Sequence, residues 1–390
     1  MAENTGNAGN AESAKNTGAS GDTARTESTV TTAAMHTPTD PFDLRHHGDA
    51  EMRDAAAGLT DLAVNVRTGT PPPWLRERIT DSLVSLAAYP DGRAARTAVA
   101  ERHGLPSRRV LLTAGAAEAF VLIARVAGEL GVRRPLVVHP QFTEPEAALR
   151  DAGFAVSRLL LREAEGFALD PSAVPDDADL VVIGNPTNPT SVLHPASAIA
   201  ALARPGRLLV VDEAFMDAVP DEAETLADRT DVPGLIVLRS LTKTWGLAGL
   251  RVGYVLAEPE TVDALERAQP LWPVSTPALA AAEACMDPAA LKEAEQAARQ
   301  IAVERAHLLA GLAEFEEVRV VAAAEASFVL LHVRHGAAVR ERLRRLGFAT
   351  RRGDTFPGLG PEWIRIAVRD RVTTNRFLQA LDQALAMVGA

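Results

Sequence analysis

The chain is 390 residues long, with 47% hydrophobic and 23% charged residues, enough for a sizeable core in one two-lobed unit or two domains. Its formal net charge of -11 argues against nucleic acid or an anionic membrane as a partner. A lone cysteine, Cys285, excludes an internal disulfide framework and points to a reducing, cytoplasmic setting, and no stretch reads as a signal peptide or membrane span.

Residues 1–40 are Ala, Thr, Gly, Asn and Ser with almost no large apolar side chain, so this segment is expected to form a disordered, low-complexity tail. An N-terminal arm is expected over 41–74. It opens near Phe42 and contains His46-His47-Gly48-Asp49, adjacent histidines that lack the spacing of a metal site. No metal is expected. The run 62–67 reads as a short strand that includes Asn65, and the prolines of 70–73 form a rigid turn into a helix from Trp74. The stretch 88–92, with Tyr89 and Pro90, breaks that helix, and a second helix over 94–103 ends at Gly104.

A large domain is expected over 75–270. Residues 110–120 read as strand, small-residue turn and helix. Gly115 and Ala116 sit at the turn, where the free N–H groups of a helix start attract anions. Apolar runs at 135–140, 179–184, 207–211 and 234–239 alternate with Ala- and Leu-rich helical stretches, which implies a mostly parallel, doubly wound α/β sheet. Several of these strands end in residues that would face one crevice, polar ones among them: Gln141-Phe142 follows the first, Asn188 the second, and Asp212 ends the third. After Pro270 the texture changes. A long helical stretch over 278–312, a strand at 326–331, a helix at 337–346, a strand at 363–368 and a last helix at 373–387 describe a smaller α+β domain over 271–390.

The chemistry gathers at Ser240-Leu241-Thr242-Lys243, followed by a glycine-rich turn and Arg251. A lysine amine held in a partly desolvated pocket can lose its proton and attack a carbonyl. Two hydroxyls and a guanidinium around it suit a phosphate. An aldehyde-reactive lysine beside a phosphate cradle is what pyridoxal phosphate requires.

Asn185-Pro186-Thr187-Asn188-Pro189-Thr190, then Asp212-Glu213-Ala214-Phe215, then Ser240-x-Thr-Lys with Ala248-Gly249-Leu250-Arg251-x-Gly253-Tyr254 occur here in one order. In this the chain resembles the class I/II aminotransferase family of fold-type I pyridoxal-phosphate enzymes, from about His46 onward. The resemblance implies pyridoxal 5'-phosphate as cofactor, with Lys243 as its Schiff-base lysine and Asp212 as partner of its ring nitrogen. It implies that Asn188 bonds the phenolic oxygen and that Phe142 stacks on the ring. Gly115, Ala116, Ser240, Thr242 and Arg251 would hold the phosphate. Tyr89 would reach the phosphate of a neighbouring subunit, which makes a homodimer with shared sites the expected assembly. Arg365 would fork onto a substrate carboxylate.

Within the family, the texture is nearest to the threonine-phosphate decarboxylases of cobalamin biosynthesis and the histidinol-phosphate aminotransferases. His47, Asn65 and Arg351 fall where the former surround a substrate phosphate, which favours a small phosphorylated amino acid and decarboxylation. A transaminase is the alternative, and a catalytically silent cofactor-binding protein is a remote one. Four departures from the family pattern stand out: Phe215 replaces a tyrosine, Ser191 a glycine, Arg67 an asparagine and Arg352 an acid.

Overall fold

The computed structural model describes residues 42–53, 58–320 and 324–387, so the tail expected over 1–40 lies outside the described residues. Runs of Val, Leu and Ile too short for a helix become strands that are mostly buried on both faces, the partly exposed edge strand Ser157–Leu160 excepted. They are β1 (Val110–Thr113), β2 (Pro135–His139), β3 (Ser157–Leu160), β4 (Leu180–Gly184), β5 (Leu208–Asp212), β6 (Leu235–Ser240) and β7 (Gly253–Ala257). Their order in the seven-stranded sheet is β1-β7-β6-β5-β4-β2-β3. The strands from β2 to β6 pair in parallel, whereas β7 runs antiparallel between β1 and β6. Because of that reversal β7 begins at the edge where its neighbours end.

The sheet is filled from both sides. On one face Val181, Val211, Val237 and Tyr254 pack with α1 (Pro73–Asp81), α2 (Arg93–Arg102) and Trp245. On the other, Val182, Val210, Ile236 and Val255 meet α3 (Ala116–Ala127), which buries Phe120, Leu122, Ile123 and Val126 on one stripe. A separate core lies around a four-stranded antiparallel sheet, β8 (Val318–Val320), β9 (Phe328–Val333), β10 (Arg351–Arg352) and β11 (Trp363–Ala367), in the order β10-β11-β9-β8. No helix among the described residues is long and apolar enough to cross a membrane.

Two sequence expectations fail locally. The run 62–67 is not a strand, since only Thr60–Asp61 pairs, in parallel with Phe348–Ala349. The carbonyls of 62–64 are taken instead by the other lobe: Leu62 O accepts from Ala367 N, Ala63 O from Arg365 and Val64 O from Arg369. The helix expected over 278–312 divides into Thr276–Ala284 and Pro288–Leu312, because Pro288 keeps the preceding residue out of helical geometry.

Ser191, at the position of the expected glycine, adopts φ 65°, the left-handed region. Its hydroxyl accepts from Ala326 N at 2.8 Å and its carbonyl from Glu325 N at 2.8 Å. The side chain thereby ties the loop after β4 to the segment leading into β9. Ser191→Ala leaves that buried N–H unpaired and should cost about 1–3 kcal/mol in urea denaturation. Ser191→Gly loses the same bond but relieves the left-handed strain, and should be the milder of the two. Equal stability of Ser191→Ala and wild type would remove the tie.

Candidate active site

Strand register assembles one edge. Gly184 of β4 lies opposite Asp212 of β5, and Asp212 opposite Leu238 of β6. Ser240 lies opposite Gly253, and Gly253 opposite Thr113 of β1. Lys243, Asp212 and the loop carrying Asn188 therefore issue from adjacent strand ends.

Burial lowers the Lys243 amine to about 8, with Arg365 and Arg251 pushing the same way and Asp212 and Asp49 opposing. Its Nζ stands 5.7 Å from the centre of the Phe215 ring, which packs edge-on against Phe328. The phenyl replaces a hydroxyl-bearing ring with an apolar wall. Asp212 is lifted to about 6 by burial, against the N–H of Ala214, which donates to Oδ1 at 3.0 Å, and the charge of Lys243.

Beside the lysine is a cradle for an anion. Gly115 caps α3 with φ 81°, and a Cβ there would lie 2.8 Å from Arg251 Nη2. A Cβ on Gly253 would meet Arg239 O at 2.6 Å and approach Ala116 N to 3.3 Å. Ser240 Oγ and Thr242 Oγ1 are 2.8 Å apart, both buried, and the buried Thr113 hydroxyl has no partner. Helix N–H groups, hydroxyls and a guanidinium converge there, as an anion requires. Phe142 stands 5.2 Å from the His47 ring and 6.2 Å from the Phe120 ring of α3.

At the other end stand two buried guanidiniums, Arg351 of β10 and Arg365 of β11, directly opposite one another. Burial lowers Arg365 to about 9, with Arg351 adding to the effect, and lowers Arg351 to about 10. Arg365 donates to Asn188 Oδ1 at 2.6 Å and to Ala63 O, leaving Nε without a partner. Arg351 donates to His46 O and Thr355 Oγ1, both at 2.7 Å, leaving Nη1 without a hydrogen bond. The buried Asn65 amide also has no partner at either atom.

Other expected residues are already engaged. His47 Nε2 is 2.5 Å from Glu144 Oε1, and Glu144 also accepts from Arg45 at 2.6 Å. Arg352 forks onto Asp354, both contacts at 2.5 Å, and Arg67 pairs with Glu293 at 3.1 Å. Tyr89 does not join this group: it is 75% exposed and stacks on Trp272 at 4.0 Å. Sequence reasoning missed Glu144 and also Glu51, which is 3.9 Å from Arg351 Nη1. An acid in a first helical turn is an ordinary helix start, so no local signal set Glu144 apart. A cavity of about 470 Å³ adjoins Lys243, bounded by Asn65, Arg67, Thr244, Glu293 and Arg369 among others. Among the described residues no group of His, Cys, Asp and Glu could hold a metal ion.

The sequence profile of the aminotransferase class I and II family matches residues 57–381. A histidinol-phosphate aminotransferase of Mycobacterium tuberculosis is 47% identical over 83% of this chain and 87% of its own length. The threonine-phosphate decarboxylase of Salmonella typhimurium is 29% identical over 88% of this chain and 97% of its own. In fold, the histidinol-phosphate aminotransferase of Clostridium acetobutylicum superposes with a TM-score of 0.76 at 24% identity, covering 83% of this chain and 98% of that one.

The residues present fit pyridoxal phosphate. A cradle that a Cβ would fill lies beside a desolvated lysine and a buried carboxylate. Such a carboxylate destabilises the protein without cofactor. Its native value of about 6 lies above the ordinary 3.8, so the protonated form is favoured in the fold. Stability is therefore lost as pH rises through that window, by about 2–3 kcal/mol. Asp212→Asn should stabilise the cofactor-free protein by about that amount at pH 8 and little at pH 4, read by urea denaturation. An unchanged difference between the two pH values would mean Asp212 is not desolvated.

Proposed function

Because the chain belongs to the class I and II aminotransferases, enzymes whose cofactor is pyridoxal 5'-phosphate, we propose that it is a transaminase acting on a small phosphorylated amine of the histidinol-phosphate type. The observation that carries the reading is the cross-strand pair Arg351 and Arg365, each buried and each with an N–H that makes no hydrogen bond, that of Arg351 standing 3.9 Å from Glu51. Two adjacent cations suit one doubly charged anion, a phosphate. Threonine phosphate presents a carboxylate as well, and so needs a further cation. Among the described residues His47 and Arg352 are committed to Glu144 and Asp354, while Arg67, paired with Glu293, keeps Nη1 without a hydrogen bond. The 47% identical mycobacterial relative, a histidinol-phosphate aminotransferase by name, supports the same reading.

Bound pyridoxal phosphate supplies an aldehyde that takes up an amine and a ring that accepts electrons from the carbon bearing it. Lys243, its amine near 8, is partly uncharged at neutral pH and so is suited both to binding the aldehyde and to moving the proton of that carbon. Asp212, ionised above about pH 6, supplies the counter-charge for a protonated ring nitrogen. Phe142 would cover the ring. The Asn188 amide, its oxygen taken by Arg365, has its NH2 left to donate to the phenolic oxygen. Gly115, Ala116, Ser240, Thr242 and Arg251 hold the phosphate. The single Cys285, buried and free, suits the cytoplasm.

Decarboxylation of threonine phosphate is the second reading. The unpartnered Asn65 amide favours it, since it adds neutral donors to the anion-binding end. Histidinol phosphate with 2-oxoglutarate should yield glutamate, and Lys243→Ala should abolish that product. Carbon dioxide from threonine phosphate, with no glutamate from histidinol phosphate, would make the second reading correct.

We also propose a homodimer. Leu83, Val84, Leu86, Tyr89, Leu271 and Trp272 are exposed apolar side chains, and Tyr89 and Trp272 are stacked. Tyr89 then serves the partner's phosphate cradle. Mixed dimers of Lys243→Ala and Tyr89→Phe chains should carry both lesions in one site and neither in the other, restoring about half the wild-type activity per dimer. A fully active monomer at high dilution would rule this out.

A further inference from the structure

Behind the cofactor edge lies a charge cluster that the chemistry above does not use. Strand side chains alternate between faces. Asp212, Leu238 and Ser240 therefore share one face of the sheet tip, and Glu213 and Arg239 share the other. Both are 1% exposed. Arg239 Nη1 donates to Glu213 Oε2 at 3.2 Å and to Glu222 Oε2 at 3.0 Å. Its Nη2 donates to Glu222 Oε1 at 2.8 Å and to Asp217. Arg102 of α2 reaches the same Glu222. Tyr254 of β7, opposite Arg239, bonds His103 at 2.9 Å.

Glu213 is fastened further. Its Oε1 accepts from Leu226 N and its Oε2 from Thr225 Oγ1, both at 2.7 Å, while its own backbone N donates to Leu238 O at 2.9 Å. The residue after Asp212 thus clamps the far end of its own loop and the strand that leads to Lys243. One guanidinium joins the loop from β5 to β6, and its neighbour Ser240 belongs to the anion cradle. Burial lifts Glu213 to about 7 and raises Asp217, whereas Arg239, against its burial, holds Glu222 low. A buried ion pair among so many partners is weak evidence of added stability, but it fixes geometry.

We propose that Glu213 and Arg239 are positioning residues whose buried pair sets the placement of the Asp212 carboxylate relative to the Lys243 amine. The inference rests on the roles given to Asp212 and Lys243 above, and not on which amine is the substrate.

The test uses the holoenzyme and the pH at which the absorbance of bound pyridoxal phosphate changes. In Glu213→Gln, close to isosteric but without charge, that midpoint should move by about one pH unit. kcat should fall about tenfold with KM unchanged. A variant that melts lower but keeps the wild-type midpoint and kcat overturns the proposal, because a merely structural pair would behave so. Thr225→Val removes a single donor to Glu213 and carries the test if Glu213→Gln does not fold. It should shift the midpoint in the same direction by less, and an unmoved midpoint overturns the proposal. A wild-type holoenzyme whose cofactor borohydride does not fix onto Lys243 would instead defeat the role of Lys243 and the inference with it. Failure to transaminate histidinol phosphate leaves this readout intact, so the two failures are distinguishable.

Discussion

A lysine amine taken out of water and set among guanidiniums is the constraint on which the rest of this structure depends. Desolvation, Arg365 and Arg251 all disfavour the charge on Lys243, while Asp212 and Asp49 favour it. Neither set can be removed without changing the chemistry. An amine fully charged at neutral pH would be a poor nucleophile, and one with no carboxylate near it would lose the counter-charge that organises the edge. The sheet meets this constraint by register: consecutive parallel strands end at one level, and β7 begins there.

Arg365 connects that edge to the rest of the chain. It leaves β11, donates to Ala63 O in the N-terminal segment and to Asn188 beyond β4, and stands opposite Arg351. Three distant stretches therefore meet at one side chain, whose charge burial has weakened. The Ser191 hydroxyl adds a second link between the same loop and the start of β9. The anion-binding end is consequently a product of both lobes. The groups beside Lys243 issue from the ends of the seven-stranded sheet, but Arg365 of the other lobe bears on Lys243 and holds Asn188.

The buried charges fall into two kinds. Arg239, Glu213, Asp217 and Glu222 pair with one another across the sheet tip, on the face opposite Asp212, although Arg239 Nε makes no hydrogen bond. Arg351, Arg365 and Asn65 keep polar atoms without a hydrogen bond, although Glu51 stands 3.9 Å from Arg351 Nη1. Leaving such groups unmet is costly unless a ligand meets them.

Much of the cofactor edge was legible in the sequence, because its signals are local. Continuous apolar runs specify strands β1, β2, β4, β5 and β6, and the polar residues at their ends lie on the same short segments. Lys243, Asp212, Asn188 and Arg251 could therefore be named from motif order alone. The antiparallel course of β7, the two-residue strand holding Arg351 and the loss of the strand at 62–67 were not legible. Each depends on hydrogen bonds to segments far away in the chain. The same reason governs the substrate end. The sequence by itself determined which side chains carry charge, but only the tertiary structure decided which of those charges are spent. It paired His47 with Glu144 and Arg67 with Glu293, contacts that span 97 and 226 residues, and left Arg351 and Arg365 side by side with donors open, because partners are set by strand register and packing that no local pattern encodes.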